Sequence, residues 1–105
     1  MDRMNNADEK SHIQANVEAV LDYLRGEFKG CELTDRSERV FGHLFTVTNL
    51  SAYRRYKLKV SVPRLSDSNT TPASIKRQLF LDNVAGRMRD PTNAGELLWG
   101  WEEAC

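Results

Sequence analysis

The segment YRRYKLKVSV, residues 53–62, decides the fold because its side chains alternate between cationic or polar and apolar. The apolar set is Tyr56, Leu58, Val60 and Val62, and the polar set is Arg55, Lys57, Lys59 and Ser61. Successive side chains of an extended chain point to opposite faces of a sheet. The segment therefore predicts a strand over residues 54–62 with one buried face and one wet, basic face, and Pro63 ends it because proline cannot donate to a ladder.

The preceding segment RVFGHLFTVTN, residues 39–49, is rich in β-branched and aromatic residues and predicts the antiparallel partner strand of a hairpin. The side of the sheet to which each of its side chains points matters, because a shift of one residue in the pairing register moves every side chain to the opposite face. Burying Phe41, Phe45 and Val47 removes more apolar surface from water, so we predict these residues inside and Val40 and Leu44 on the open face. In the alternative, Phe41, His43 and Phe45 stand beside the cations and form a platform for stacking bases.

Two helices are predicted around this hairpin. Apolar residues from Ile13 to Phe28 recur with helical spacing and predict a helix over about residues 12–29, starting at a capping box of Ser11 and Gln14. Residues 1–10 are polar and are interpreted as a mobile tail. Thr71 and Pro72 predict the start of a second helix over about residues 72–89, whose continuity the pattern leaves open.

Shorter elements complete the pattern. CELT, residues 31–34, is a candidate third strand, DRSE at 35–38 has the composition of a turn, and RLSDSNTT at 64–71 that of a loop. Asn93 and Glu96 offer a capping arrangement for a short terminal helix that carries Leu97, Leu98, Trp99 and Trp101.

The fold class is therefore α+β. We expect an N-terminal helix, a two- or three-stranded antiparallel sheet, a second helix on the same face and a short C-terminal helix, in a single domain over residues 11–105. The order of one helix, three strands and one helix is similar to that of double-stranded-RNA-binding domains. Those domains open their second helix with a lysine cluster, whereas TPASIKRQ has only Lys76 and Arg77, so the chain is not assigned to that family.

Charge is unevenly distributed along this 105-residue chain, whose formal net charge is zero. Residues 36–90 contain eleven Lys or Arg and four Asp or Glu, a balance of +7, and both ends are acidic. This asymmetry indicates either attraction of an anionic partner or internal complementarity between the ends and the centre. The candidate anion-binding or nucleic-acid-binding residues are Arg54, Arg55, Lys57, Lys59 and Arg64. Their alternative role is to keep an edge strand solvated and free of aggregation.

The function predicted from these observations is a small non-enzymatic binding module for nucleic acid or another polyanionic partner, such as an acidic protein. The alternative is a protein-interaction module, including a homodimer, whose candidate interface residues are Val40, Leu44, Trp99 and Trp101. An enzyme is the third hypothesis, and it requires a pocket that holds His43 with a carboxylate or thiol.

No cofactor, metal site or catalytic residue is predicted. His12, Cys31, His43 and Cys105 lack paired metal-ligand spacing, and the glycines form no phosphate-binding loop. The sequence contains neither a bilayer-spanning apolar stretch nor a signal-peptide pattern, so we expect a cytoplasmic protein without a membrane partner.

Overall fold

A computed structural model describes residues 4–38, 42–93 and 95–100 of the chain. Its elements are α1 (Met4–Glu27), β1 (Glu32–Glu38), β2 (Gly42–Asn49), β3 (Arg54–Ser61), α2 (Val62–Ser66), α3 (Pro72–Leu81), α4 (Val84–Arg89), a 3₁₀ turn (Pro91–Asn93) and β4 (Glu96–Trp99). The sheet order is β1-β2-β3-β4. The first three strands are antiparallel neighbours, and β4 runs parallel to β3. The α+β class is therefore confirmed, but the sheet has four strands and is mixed.

The core lies between the helices and one face of the sheet. The sheet contributes Phe45, Val47, Leu58, Val60, Leu97 and Trp99, and the helices contribute residues that include Val17, Val20, Leu24, Leu65, Ile75, Leu79, Val84 and Met88. These side chains form one cluster, so α1, α3 and α4 pack on the same side of the sheet. Alternate residues of the strands therefore remain on a second face, away from the helices.

The start of the first helix, α1, differs from the prediction, and the start of α3 agrees with it. Helix α1 begins at Met4, so the predicted start at Ser11 is wrong and the backbone of residues 4–10, assigned above to a tail, is helical. The division into a tail and one domain over residues 11–105 stays a prediction. Helix α3 begins where expected, with Thr71 as N-cap and Pro72 in the first turn. Thr71 and Ser74 form a reciprocal capping box that satisfies two backbone N–H groups.

The second helical region is not continuous. It divides at Asp82 and Asn83, and Asn83 has a left-handed backbone with φ of 51°. This break turns α4 relative to α3, so Val84, Ala85 and Met88 are buried together with Ile75 and Leu79, whereas Leu81 beside the break is 67% exposed. Ile75 and Leu79 point inward from α3, and Val84 and Met88 point inward from α4.

The predicted turn at residues 35–38 is wrong because β1 continues through Glu38. Each of its residues pairs with β2, from Glu32 opposite Thr48 to Glu38 opposite Gly42. Strand β1 lies at the edge of the sheet and buries little on either side, so its sequence carries no alternation of apolar and polar residues. Backbone pairing, rather than side-chain burial, places this segment in the sheet.

The end of β3 also differs. The strand stops at Ser61, where the prediction ran to Val62, and Val62–Ser66 forms the short helix α2, which overlaps the predicted loop. Ser61 is its N-cap, with Oγ accepting from the backbone N–H of Arg64 at 3.4 Å. Val62 is consequently exposed rather than in the core.

The predicted short C-terminal helix carrying Leu97, Leu98 and Trp99 is wrong, because Glu96–Trp99 forms β4. Leu97 and Trp99 are buried and Glu96 and Leu98 are exposed, a period of two. One edge of β3 has backbone N–H and C=O groups that β2 does not pair, and β4 forms hydrogen bonds with them. The first is a hydrogen bond of 2.7 Å from the Lys57 N–H to the Gly95 carbonyl. The four-residue segment is too short for its own sequence to reveal this pairing.

Candidate functional site

The open face is the side of the sheet that points away from the helices. Its members are Glu32, Thr34, Arg36 and Glu38 from β1, Leu44, Thr46 and Thr48 from β2, Arg55, Lys57 and Lys59 from β3, and Glu96 and Leu98 from β4. Residues that pair across strands share a face, so each β3 cation lies beside a defined β2 neighbour. Arg55 is opposite Thr48, Lys57 is opposite Thr46, and Lys59 is opposite Leu44.

The facing of β2 is the one predicted. Phe45 and Val47 are fully buried, and Leu44, Thr46 and Thr48 lie on the open face. The alternative, with Phe45 beside the cations, is wrong, so the open face carries no stacking aromatic from this strand. The predicted positions of Val40 and Phe41 lie outside the described residues.

The cations of the open face differ in whether an acidic side chain neutralises them. Lys59 Nζ lies 2.7 Å from Glu96 Oε2, and this hydrogen bond lowers the pKa of Glu96. Arg36 is paired with Glu38. Arg55 and Lys57 are exposed, and neither forms an ion pair within residues 4–38, 42–93 and 95–100.

These two side chains border a groove of about 320 Å³ on the open face. Arg36, Thr34 and Thr46 also line it, so three cations converge with two hydroxyl groups that can donate hydrogen bonds. Asp35 borders the groove as well, but its carboxylate lies 2.7 Å from Nε2 of His43 on the helix side of the sheet. The groove therefore presents cationic and hydroxyl donors, an arrangement suited to an oxyanion such as phosphate.

Sequence reasoning missed Arg36, because the segment around it was interpreted as a turn. The β1–β2 register places Arg36 opposite Leu44, two strands away from the β3 cations and in the same row as Lys59. No local spacing in the sequence relates Arg36 to Arg55 and Lys57, since strand pairing alone brings them to one groove.

The remaining predicted anion-binding residues lie elsewhere. Arg54 is exposed at the start of β3 and points to the other side, where it borders a cleft of about 270 Å³ with Tyr56 and Arg89. Arg64 belongs to α2, beyond the opposite end of β3, and its guanidinium lies 4.4 Å from the centroid of the Trp99 ring. This is a cation–π contact, which gives Arg64 a packing role.

The predicted interface residues are also separated. Leu44 is half-buried on the open face. Trp99 is only 1% exposed and its indole N–H donates to Asp82 Oδ2 at 2.8 Å, so it belongs to the core and has no surface for a partner. Val40 and Trp101 lie outside the described residues.

His43 has a carboxylate partner that the sequence did not reveal. Asp35 is eight residues earlier, but it lies on the adjacent strand, diagonally across from His43. His43 also borders a cleft of about 530 Å³ with Ser11, Ser37 and Val17. An imidazole oriented by a carboxylate can transfer protons, but hydrolytic chemistry of the serine type also needs a nucleophile hydrogen-bonded to it. Among the side chains that the structure describes, no serine or cysteine makes that hydrogen bond to His43.

The described part of the chain shows neither a metal-ligand cluster nor a helix that could span a membrane. It contains no group of three or more His, Cys, Asp or Glu residues placed to hold a metal ion. None of its helices combines the length and apolar character needed to cross a bilayer. Comparisons with protein-family models, curated proteins and solved structures gave no match.

Proposed function

We propose that this protein is a small binding module that holds a polyanion, and specifically nucleic acid, on the open face of its sheet. The observation that carries the proposal is the pair Arg55 and Lys57. Both side chains are exposed on a helix-free face, and within the described ranges no carboxylate lies at ion-pair distance from either. Glu96 is opposite Lys57 in the β3–β4 register, but it pairs with Lys59. An ordinary wet strand face neutralises many of its cations, as Lys59 and Glu96 do here.

The positions of the two side chains favour a chain-like anion. Residues 55 and 57 are two apart on one strand, so they are separated by about 7 Å along it. Like charges held at this distance repel each other, and an anion that bridges them relieves that repulsion. Arg36 extends the row across the sheet, and Thr34 and Thr46 add hydroxyl donors between the cations. A row of this kind follows a phosphate backbone without reading its sequence.

The distribution of charge supports the same partner. The basic segment of residues 36–90 supplies these three groove cations, and its +7 balance attracts anions toward this part of the chain. Each neutralised phosphate releases counterions, so affinity for a single strand should fall with salt at a slope of about −0.7 per contact. Because Arg36 is paired with Glu38, the two contacts from Arg55 and Lys57 predict a slope of about −1.4.

The experiment is fluorescence anisotropy with labelled single-stranded and double-stranded DNA and RNA at several salt concentrations. We expect Arg55→Glu and Lys57→Glu each to weaken binding and to make the salt slope shallower by at least about 0.7. The matched control is Arg77→Glu, which changes net charge equally but lies on α3, on the helix side of the sheet. Absence of binding at low salt, or equal effects of the control and Arg55→Glu, would contradict the proposal.

A protein-interaction module, including a homodimer, is the second candidate. It is favoured by Leu98, which is 54% exposed on the open face, with Leu44 in the same row across Lys59. Apolar side chains within a polar face can form the centre of an interface. Light scattering after gel filtration separates the two candidate functions. A dimer that Leu98→Lys dissociates favours the protein-interaction module, and a monomer that binds oligonucleotide favours the nucleic-acid-binding module.

A further inference from the structure

Tyr53 is an aromatic residue with no evident role in the fold. It lies in the turn between β2 and β3 and is 95% exposed, so its ring contributes almost nothing to packing. Its φ of 54° is in the left-handed region, which bulky residues rarely adopt and which glycine or asparagine occupies more easily. The turn is stabilised instead by Asn49, whose Oδ1 accepts from the Ala52 N–H at 3.1 Å. A large ring held in a strained, wet position is accessible for contact with a ligand.

The surroundings of Tyr53 indicate the kind of ligand. A cleft of about 250 Å³ is lined by Thr48, Asn49, Leu50, Tyr53, Arg54 and Arg55. Leu50 and Tyr53 provide exposed apolar surface, and two arginines provide charge without an acidic residue in the lining. This combination suits a flat apolar group that carries a negative charge at one end.

We infer that this cleft receives an unpaired nucleobase, with the ring of Tyr53 stacked on the base and Arg55, on the open face, beside its phosphate. The inference rests on the proposed function and deepens it, because it assigns single-stranded nucleic acid as the ligand class. Base–aromatic stacking tolerates any base, whereas the bases of a duplex already stack on each other.

Continuity with the open face supports the inference. Arg55 borders both this cleft and the groove that contains Lys57 and Arg36. A nucleic-acid strand whose phosphates follow the groove therefore passes the tip of the β2–β3 hairpin, where Tyr53 is positioned to hold a base. Cations along a groove and an aromatic at its end are the two components of sequence-tolerant binding to single strands.

The test compares oligothymidylate of about 10 nucleotides with an abasic phosphodiester of the same length, in the anisotropy assay described above. We expect the wild-type protein to prefer the oligomer that contains bases. Tyr53→Gly should weaken binding of that oligomer by about tenfold and leave binding of the abasic oligomer unchanged. Tyr53→Phe should retain the affinity of the wild type, because it keeps the ring.

The glycine variant also controls for folding. Glycine adopts a φ of 54° without strain, so Tyr53→Gly should unfold at the same or a higher urea concentration while it binds less tightly. If the protein binds the two oligomers with equal affinity and Lys57→Glu weakens binding of both, the inference is overturned and the proposed function remains intact. Binding of neither oligomer overturns both. A Tyr53→Gly variant that changes only self-association in light scattering assigns the tip to a protein partner and also overturns the inference.

Discussion

The phenol oxygen of Tyr23 provides a sharp test of how the helices are joined. It lies 2.9 Å from the backbone nitrogen of Ala85, which donates to it across a buried interface. Ala85 is in the first turn of α4, where N–H groups lack a partner within the helix. The N-cap residue Asn83 makes no side-chain cap hydrogen bond, so Tyr23 on α1 performs that function from another helix.

The variant Tyr23→Phe removes this acceptor and little else. The ring remains, with its edge-to-face contact to Phe80 at 4.9 Å between centroids, so the packing is largely retained. The cost is that of a buried N–H group left without a partner, about 1–3 kcal/mol in the free energy of unfolding. Tyr23→Ala also opens a cavity and should cost about 3–5 kcal/mol.

Urea unfolding monitored by circular dichroism measures both variants. Tyr53→Phe is the matched control, because it removes the same hydroxyl from an exposed ring and should change stability by less than about 0.5 kcal/mol. If Tyr23→Phe and Tyr53→Phe have the same unfolding free energy, the assignment of Tyr23 as the cap of α4 is refuted.

The pH dependence gives an independent readout. Burial raises the pKa of the Tyr23 phenol, so the folded protein retains this proton at a pH where the unfolded chain loses it. The resulting stabilisation is complete below the unfolded pKa of about 10 and is lost as pH rises from there through the folded pKa. Tyr23→Phe has no such proton, so the difference in free energy of unfolding between the wild type and this variant should become smaller above about pH 10.

Two further perturbations test the sheet. Gly42→Ala should cost at least about 3 kcal/mol by urea unfolding, because φ is +137° and a Cβ would lie 2.1 Å from the Val60 carbonyl oxygen. The paired control Gly26→Ala, in open space on α1, should stabilise by about 0.5–1 kcal/mol, and equal effects of the two would contradict the β2–β3 register. Glu96→Gln should cost at most about 1 kcal/mol at neutral pH, since solvent screens its pair with Lys59. The Lys59 hydrogen bond lowers the pKa of Glu96, so this difference should vanish as pH falls through that pKa, and a deficit that persists in acid would exclude the ion pair as its cause.

Local periodicity was a reliable guide for β2 and β3, each of which has one buried face over eight residues. The alternation in β3 and the apolar content of β2 predicted two strands and the inward facing of Phe45 and Leu58, both fully buried. The same physics failed for β1, whose exposed edge leaves no apolar period to detect. It also failed for β4, because Leu97 and Trp99 satisfy both a helical and an extended interpretation over four residues.

The candidate site was recovered in part for the same reason. Arg55 and Lys57 were predictable, because a single strand presents them. Arg36 joins them only through the β1–β2 register, and Asp35 meets His43 only across two strands. Arg64 lies on α2, outside this groove, with its guanidinium over the Trp99 ring, so its anion-binding role stays a prediction.

The sequence alone therefore determined the α+β class, the hairpin of β2 and β3 and its basic side, because these depend on side chains a few residues apart. The tertiary structure decided which cations share a groove, which of them an acidic residue neutralises, and that the chain returns to add β4 beside β3. Those outcomes depend on pairing between segments distant in sequence, where backbone hydrogen bonds and shared burial select a register that no local pattern encodes.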